Sequence, residues 1–138
     1  MSAHWQHFEH EADIGVRGLA ATLEAAFEQA ALAMTAVIAD LKTIRADEQV
    51  SVECHAPDQE LLLVDWLNAL IYEMAVNKML FSRFEVQIDN GVLKGQAWGE
   101  AVEVNRHQPS VELKGATYTE LRVVQENNQW LAQCVIDV

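Results

Sequence analysis

The stretch Phe84–Val92, with the sequence FEVQIDNGV, is the part of the chain that most directly decides the fold. Apolar and polar residues alternate from Phe84 to Asp89, which is the pattern of a half-buried β-strand. The Asn90-Gly91 pair that follows is the dipeptide most typical of a two-residue hairpin turn. Residues 92–98 supply the return strand. The sequence therefore predicts an antiparallel hairpin near the middle of the chain.

Two helical patterns precede this hairpin. Six apolar residues recur at intervals of three or four after Thr22, the expected N-cap: Leu23, Phe27, Ala30, Met34, Val37 and Leu41. The second helix is predicted over roughly 59–76, with Asp58 as its N-cap. It is apolar on most of its sides, apart from one narrow polar stripe, and such a helix is usually central in its domain.

The remaining segments are predicted to be strands and loops. Alternating or β-rich runs occupy residues 4–8, 14–18, 50–55, 111–125 and 129–138. An acidic turn separates the first two, a polar turn at 126–128 joins the last two, and a loop covers about 100–110. Hairpins combined with two separate helices predict an α+β fold. We expect one domain over residues 1–138, mainly antiparallel sheet with the two helices packed against it.

Composition limits the function. The chain of 138 residues is 51% hydrophobic and carries a formal charge of −12, with nine basic residues scattered along it. High-affinity nucleic-acid binding through phosphate neutralisation needs clustered Lys and Arg, so this class is excluded. The charge favours a protein with a basic surface, or a cation, as partner; simple solubility is the alternative explanation.

The cellular location is predicted from what the sequence lacks. The chain has neither a signal-like segment at its start nor an apolar run of membrane-spanning length. The two cysteines, Cys54 and Cys134, lie far apart in apolar runs, where buried reduced thiols are usual. We expect a cytoplasmic protein without a membrane partner.

Acidic residues near both ends of the sequence suggest a metal site. In an extended backbone His7, Glu9, Glu11 and Asp13 share one face and His10 takes the other. If the strand at 129–138 pairs beside this segment, Asp13, Asp137 and the terminal carboxylate meet at one point. Three hard oxygen ligands would suit Mg²⁺, Ca²⁺ or Mn²⁺. The alternative is a solvated strand edge.

Two further groups of polar residues invite a functional interpretation. Glu100, Glu103, Arg106 and His107 occupy the loop at 100–110, where an Arg-His pair could bind a phosphate or orient a carboxylate. The alternative is a solvent loop whose charges pair with one another.

Lys114 and Thr117 lie inside the predicted strand at 111–125. Lys114 would share a face with Glu112 and Tyr118, and a cross-strand ion pair would then explain its presence. No nucleophile elbow, P-loop or dinucleotide fingerprint accompanies these groups, so nothing in the sequence specifies an enzyme.

Taken together, these segments resemble the archease family. The likeness runs in order along nearly the whole chain. It is carried by residues 8–15 (FEHEADIG), 23–27 (LEAAF) with 30–31, 62–68 (LLVDWLN), 81–84 (FSRF), 99–100, 106–107, 114–118 (KGATY) and 135–138 (VIDV).

The resemblance implies an acidic, non-catalytic activator of an RtcB-type RNA ligase. That enzyme joins RNA ends bearing a 2′,3′-cyclic or 3′ phosphate to a 5′-hydroxyl in tRNA splicing and RNA repair. The activator promotes guanylylation of the ligase from GTP and sustains multiple turnover. The resemblance also implies a divalent metal held by Asp13, Asp137 and Val138, with the metal being Ca²⁺, Mg²⁺ or Mn²⁺, and a functional role for Lys114.

Other residues of the resembling motifs are expected beside the metal or in contact with the ligase. They are His10, Glu11, Glu103, Arg106, His107 and Thr117. Two positions depart from the family pattern, which commonly has Thr in place of Glu11 and Asp in place of Glu103. Glu11 adds a carboxylate beside the metal or points away from it, whereas Glu103 keeps the charge and changes its reach.

Two other classes of function compete with this one. A metal-dependent hydrolase would use Asp13, Asp137 and either His10 or His107, and it would require an open metal position in a deep pocket. A chaperone-like binding module would require a large exposed apolar patch.

Overall fold

The computed structural model describes residues 3–138, and within them it has two antiparallel sheets and three α-helices. The elements, in order, are β1 (His4–His10), β2 (Asp13–Ala20), α1 (Leu23–Ile38), a 3₁₀ turn (Leu41–Thr43), β3 (Glu48–His55), α2 (Gln59–Asn77), β4 (Met79–Asp89), β5 (Val92–Ala101), α3 (Val104–His107), β6 (Gly115–Ala116), β7 (Arg122–Glu126) and β8 (Gln129–Asp137). The α+β prediction is confirmed, with the short helix α3 in addition to the two expected helices.

The first sheet is built around β8. Its strand order is β1-β2-β8, and both β6 and β7 pair with the other edge of β8. The second sheet has the order β3-β5-β4. Helix α1 contacts β2 of the first sheet and β4 of the second, whereas α2 packs mainly on β3. The apolar core therefore lies between the two sheets, around these helices.

Helix α1 begins where the sequence predicts and ends earlier. The Thr22 hydroxyl accepts a hydrogen bond from Ala25 N at 3.1 Å and caps the first turn. The helix approaches β2 closely because Gly18 has no side chain: a Cβ there would lie 2.1 Å from the Ala26 carbonyl oxygen. The predicted end at Leu41 is wrong, because Ala39 is extended and Asp40 starts the separate 3₁₀ turn by accepting from Lys42 N.

Helix α1, which packs on both sheets, takes the central position that the apolar sequence predicts for α2, and α2 packs mainly on β3. The Asp58 carboxylate caps α2 by accepting from Leu61 N at 2.8 Å, and Lys78 ends it in the left-handed conformation. Trp66 is fully buried and donates its indole N–H to the Phe27 carbonyl at 3.1 Å. The predicted polar stripe is present, with Tyr72 exposed on it.

The predicted central hairpin is β4–β5. Its turn residues Asn90 and Gly91 have φ of 49° and 76°, which are the two positive values that a type I′ turn requires. Both strands extend beyond the predicted bounds, because β4 begins at Met79 and β5 reaches Ala101. The hairpin therefore carries Glu100 out of the predicted loop and onto a strand.

Three other predictions of local structure are wrong. Residues 111–125 do not form one strand, because the chain leaves the sheet at 117–121 between β6 and β7. The predicted loop at 100–110 contains α3. The predicted acidic turn contains only Glu11 and Ala12, with Glu11 at φ 55°, and Asp13 is the first residue of β2. Because the chain reverses at this turn, His7 and Asp13 do not lie on one continuous extended strand. The predicted common face from His7 to Asp13 is therefore wrong. Within residues 3–138 the helices are too short or too polar to cross a bilayer.

Candidate functional site

Strand β8 brings the two predicted metal-binding aspartates to the same point of the first sheet. In the β2–β8 ladder Ile14 pairs with Ile136, which makes Asp13 and Asp137 the next residues on neighbouring strands. The Val138 amide N–H donates to Asp13 Oδ1 at 3.3 Å. The expectation that strand 129–138 is well paired, with its end beside residues 9–13, is confirmed.

The position of Asp137 is fixed by the neighbours of β8 on both of its edges. β2 lies on one edge, and β6 and β7 lie on the other. Residues 132–136 are buried one after another, so both faces of the strand are covered. Asp137 and Val138 follow this run and are half-buried. An internal strand thus holds the site residues at its rim.

Lys114 and Thr117 are tied to the same end of β8. Lys114 N donates to the Asp137 carbonyl at 2.8 Å. Thr117 donates to the Val135 carbonyl through its backbone N at 3.0 Å and through its hydroxyl at 2.8 Å. Lys114 precedes β6 instead of lying inside a long strand, and it forms no ion pair among residues 3–138. The alternative explanation of Lys114 by a cross-strand ion pair is therefore wrong.

Asn68 of α2 holds this segment from its other side. Its side-chain oxygen accepts from Ala116 N at 2.8 Å, and its amide donates to the Ala116 carbonyl at 3.4 Å. The side chain thus replaces a neighbouring strand at the outer edge of β6. The sequence signal for this contact was a polar residue within an apolar helix. The sequence did not reveal the partner of that residue.

His10 and Glu11 flank the aspartates on the β1–β2 hairpin. His10 pairs with Asp13 in the ladder and is half-buried, whereas Glu11 is exposed in the two-residue turn. The positive φ of Glu11 belongs to a conformation that non-glycine residues adopt infrequently. The turn places the Glu11 carboxylate on the surface next to the strand end that carries Asp13.

The donor set at this point fits a hard divalent cation in kind. Asp13 and Asp137 supply carboxylate oxygens, which Mg²⁺, Ca²⁺ and Mn²⁺ prefer. Within residues 3–138 no group of three or more His, Cys, Asp or Glu side chains is placed to hold a metal ion. A metal bound by the two aspartates would therefore depend on Val138 for a main-chain oxygen, as the family resemblance implies.

Glu100, Glu103, Arg106 and His107 form a separate cluster at the end of β5. The Arg106 guanidinium makes two bonds to Glu100, at 2.7 and 2.8 Å, and a third to Glu103 Oε2 at 3.0 Å. It also donates to the Thr43 carbonyl at 2.6 Å, and Arg45 N donates to Glu100 Oε2 at 2.8 Å. These bonds fasten α3 to the segment that follows the 3₁₀ turn.

His107 completes this cluster from inside the protein. Its Nδ1 accepts from the Glu103 backbone N–H at 2.8 Å, which assigns the ring proton to Nε2, and Nε2 then donates to Glu100 Oε2 at 2.9 Å. The residue is 3% exposed. Contact of this ring with a partner surface is therefore blocked, and its role is to hold Glu100.

Electrostatics follow from these bonds. The Arg106 guanidinium, assisted by the Arg45 amide, holds the pKa of Glu100 far below its usual range. Glu100 in turn raises the pKa of Arg106. Burial raises the pKa of Cys54 to about 11 and that of Cys134 to about 12, so both thiols stay protonated and unreactive at neutral pH.

The two clusters lie at the same end of the domain. Helix α1 runs antiparallel to β2, so its last turn points toward the Asp13 end. The Ser110 hydroxyl and amide bind the carbonyls of that last turn, at Val37 and Ile38. The chain passes from α3 through Ser110 to Lys114, and thereby links the Arg106 cluster with Asp137.

Comparison with known proteins gives consistent matches over the chain. The model of the Archease protein family matches residues 5–138. The protein named archease from Pyrococcus furiosus is 36% identical over 139 residues, covering 97% of this chain and 98% of that protein. The protein of the same name from Thermococcus kodakarensis is 37% identical, with the same coverage of both chains.

Solved structures also match. The solution structure of Methanobacterium thermoautotrophicum protein 1598 is 32% identical and has a TM-score of 0.85, covering 97% of this chain and 98% of that one. A crystal structure from Thermotoga maritima, described as an archease and possible chaperone, is 18% identical with a TM-score of 0.58, covering 96% of each chain. The second similarity concerns the fold alone.

Proposed function

The chain belongs to the archease family, and from this premise we propose that it is a non-catalytic activator of an RtcB-type RNA ligase. It promotes guanylylation of that enzyme from GTP and sustains its turnover during tRNA splicing or RNA repair. It acts in the cytoplasm, with a divalent metal ion held by Asp13, Asp137 and Val138.

One observation carries the proposal beyond family membership: the adjacency of Asp13 and Asp137 on neighbouring strands. Like charges placed opposite each other destabilise a sheet. Such a pair at a partly exposed strand end is therefore a good position for a cation, which offsets the repulsion. The Val138 amide, bonded to Asp13 Oδ1, keeps the Asp13 carboxylate turned toward the end of β8.

The residues of the site have different tasks under this proposal. Asp13 and Asp137 bind and orient the metal ion, and Thr117 and Asn68 hold the adjoining strand in place. A bound divalent ion supplies positive charge beside the nucleotide phosphates of the ligase. Lys114 adds a cationic group for an anionic group of the partner, because its ammonium has no ion-pair partner within residues 3–138.

The overall charge agrees with this partner. A ligase that binds RNA and GTP needs basic surface, and a chain with a formal charge of −12 is attracted to it over a distance. Electrostatic attraction of this kind raises the rate of association more than the affinity. The acidic surface thus guides the approach, and the Asp13–Asp137 end makes the functional contact.

The test is the transfer of label from radioactive GTP to the purified cognate ligase, with and without this chain. We expect the chain to increase the guanylylated fraction at substoichiometric amounts, without becoming labelled itself. An Asp89→Ala variant is the matched control for the removal of Asp13 or Asp137, because it removes an exposed carboxylate at the hairpin turn of β4–β5. Unchanged labelling of the ligase would refute the proposal. Metal-dependent cleavage of GTP by the chain alone would favour the hydrolase hypothesis instead.

A further inference from the structure

An apolar groove lies between the second half of α2 and the segment at 109–113. Ile71, Met74 and Ala75 line it from the helix, and Val111, Glu112 and Leu113 line it from the segment. Its volume is about 460 Å³, which is enough for several apolar side chains of a partner. The groove is a preformed depression on the surface.

Exposed apolar side chains occur on the two elements that line this groove and on the segment that follows β6. Tyr72 and Val76 of α2 are 63% and 58% exposed, and Val111 is 39% exposed. Tyr118, which follows β6, is 69% exposed. Large apolar residues that are left in water together commonly mark a protein-binding surface. Tyrosine is also a residue that contributes strongly to the binding energy of interfaces.

One wall of the groove is continuous in sequence with a segment that is hydrogen-bonded to the candidate metal site. Leu113 lines the groove, and the next residue, Lys114, donates its backbone N–H to the Asp137 carbonyl at 2.8 Å. The loop that forms one wall is fastened at its other end by Ser110, which binds the last turn of α1. A protein seated in the groove would therefore lie against the rim that carries Asp137.

Charge selects the occupant. Glu112 is the charged residue that lines the groove, it is exposed, and it forms no ion pair within residues 3–138. A second copy of the chain would bring two proteins of −12 charge together, and a two-fold axis through the groove would place Glu112 near its own equivalent. A basic residue beside the apolar anchor of a partner would instead complement Glu112.

We infer that this groove docks a segment of the partner protein that presents a large apolar side chain next to a Lys or Arg. Under the proposed function, on which this inference rests, the segment belongs to the RNA ligase. The groove then supplies the affinity, and the adjoining Asp13–Asp137 end supplies the activation. Binding and activation become separable properties of two neighbouring surfaces.

The test compares two Val-to-Asp substitutions by calorimetric titration of the full-length chain into the ligase. Val111→Asp puts a carboxylate into the groove. Val104→Asp adds the same charge at the first residue of α3, which does not line the groove and is 67% exposed. We expect Val111→Asp to weaken binding at least about tenfold, because its carboxylate would lose water against the apolar anchor of the partner. Val104→Asp should change it less than about twofold. Glu112→Lys should weaken binding, and Glu112→Gln should weaken it less.

The outcomes separate this inference from the proposed function. A wild-type chain that neither binds nor activates the ligase removes the proposed function. A wild type that does both, with Val111→Asp binding equally well, overturns the groove alone. Equal weakening by Val111→Asp and Val104→Asp assigns the effect to charge and also overturns it.

Two further measurements protect the test. Thermal unfolding followed by circular dichroism checks that each variant is folded. If Val111→Asp unfolds, Ala75→Gln on the exposed wall of the groove replaces it with the same expectation. Sedimentation of the chain alone tests whether a second copy of the chain occupies the groove. A dimer that dissociates in the Val111→Asp variant would assign the groove to that second copy and overturn the inference.

Discussion

The carboxylates of the Glu100 cluster and those of the Asp13–Asp137 end lie at the same end of the domain, and their surroundings are opposite. Glu100 accepts from Arg106, His107 and the Arg45 amide. Asp13 accepts from one backbone amide, that of Val138, and its neighbour across the ladder is another aspartate.

This difference distinguishes a structural cluster from a candidate site. Buried charges are tolerated when they are paired and fully hydrogen-bonded. The Glu100 cluster meets that condition within the protein, so no ligand is needed to neutralise it. Its charges pair with one another, as the alternative interpretation of the sequence proposed, but they do so in a mostly buried setting instead of a solvent loop. The Asp13–Asp137 pair is a local excess of negative charge, and a cation from outside is the simplest complement to it.

The strongest test of the contrast removes each aspartate of the site. We expect Asp13→Ala or Asp137→Ala to abolish activation of the ligase, because each removes an anionic ligand of the proposed metal ion. Both side chains are near the surface, so no large core cavity follows, and the free energy of unfolding should change by less than about 1 kcal/mol. Guanylylation assays and urea unfolding measure the two effects. Full activation by either variant, or loss of the fold, would contradict the assignment.

The next largest effect is expected in the other cluster. Glu100→Gln removes the mostly buried carboxylate that pairs with the Arg106 guanidinium, and it leaves the exposed Glu103 as the charged partner. We therefore expect the midpoint of urea unfolding to fall well below that of the wild type. The ligase activation per folded molecule should be retained, since Glu100 does not contact the metal site. A variant with normal stability would show that the cluster is dispensable for the fold.

The pH dependence of stability tests the role of Glu100 in the wild-type protein, with Glu100→Gln as the control. The pKa of Glu100 is lowered in the folded state by Arg106. Such a group contributes stability that is present above its unfolded pKa of 4.5 and is lost as the pH falls toward the folded value. Between about pH 5 and pH 3 the free energy of unfolding should therefore fall more steeply in the wild type than in Glu100→Gln. Parallel curves would assign the acid sensitivity to other carboxylates.

A smaller effect is expected from Lys114. Lys114→Ala should weaken activation by about tenfold, equivalent to about 1.4 kcal/mol, because the ligase loses one cationic contact. Metal affinity should stay within about twofold, since an ammonium is not a metal ligand. Lys94→Ala is the control, because Lys94 is exposed on β5 of the other sheet. Titration of Mn²⁺ and the guanylylation assay separate the two properties, and unchanged activation would remove Lys114 from the site.

The smallest expected effect has the opposite sign. Asp137→Asn relieves the repulsion between two like charges on neighbouring strands, so without metal it should raise the free energy of unfolding by about 0.2–1 kcal/mol. The change should disappear when saturating Mn²⁺ stabilises the wild type. Urea unfolding in the presence of a chelator, and again with Mn²⁺, measures both. A destabilised Asp137→Asn protein without metal would indicate that no unfavourable repulsion exists at this point.

The sequence predicted those parts of the fold that rest on local chemistry. Thr22 and Asp58 are side-chain caps, and both helices begin where these residues stand. Asn90 and Gly91 suit positive φ, and the hairpin turns there. The pairing of the closing strand was predicted from apolar residues alternating on one face (130, 132, 134, 136 and 138), whereas residues 132–136 are buried on both faces.

The parts that failed depend on contacts between distant segments. The run at 111–125 reads as a strand, but Asn68 and Thr117 form side-chain hydrogen bonds that replace the regular ladder. The polar composition of residues 100–110 suggested an exposed loop. His107 is buried there because Glu100, placed by β5, supplies its partner. No periodicity in the sequence encodes such long-range pairs, so the sequence itself could raise the meeting of Asp13 and Asp137 only as a condition on strand pairing.

The central position of β8 has a consequence for how the protein is made. β2 ends at Ala20, and its neighbour β8 begins at Gln129, so a ribosome must add on the order of a hundred residues before this edge can be covered. The β4–β5 hairpin, by contrast, closes within its own segment. During synthesis the second sheet and α2 can therefore gain structure first, while β2 keeps an open edge that is prone to wrong pairing. The strand that positions Asp137 is also the one that covers the edge of β2, so a nascent chain acquires its candidate metal site only as its first sheet closes.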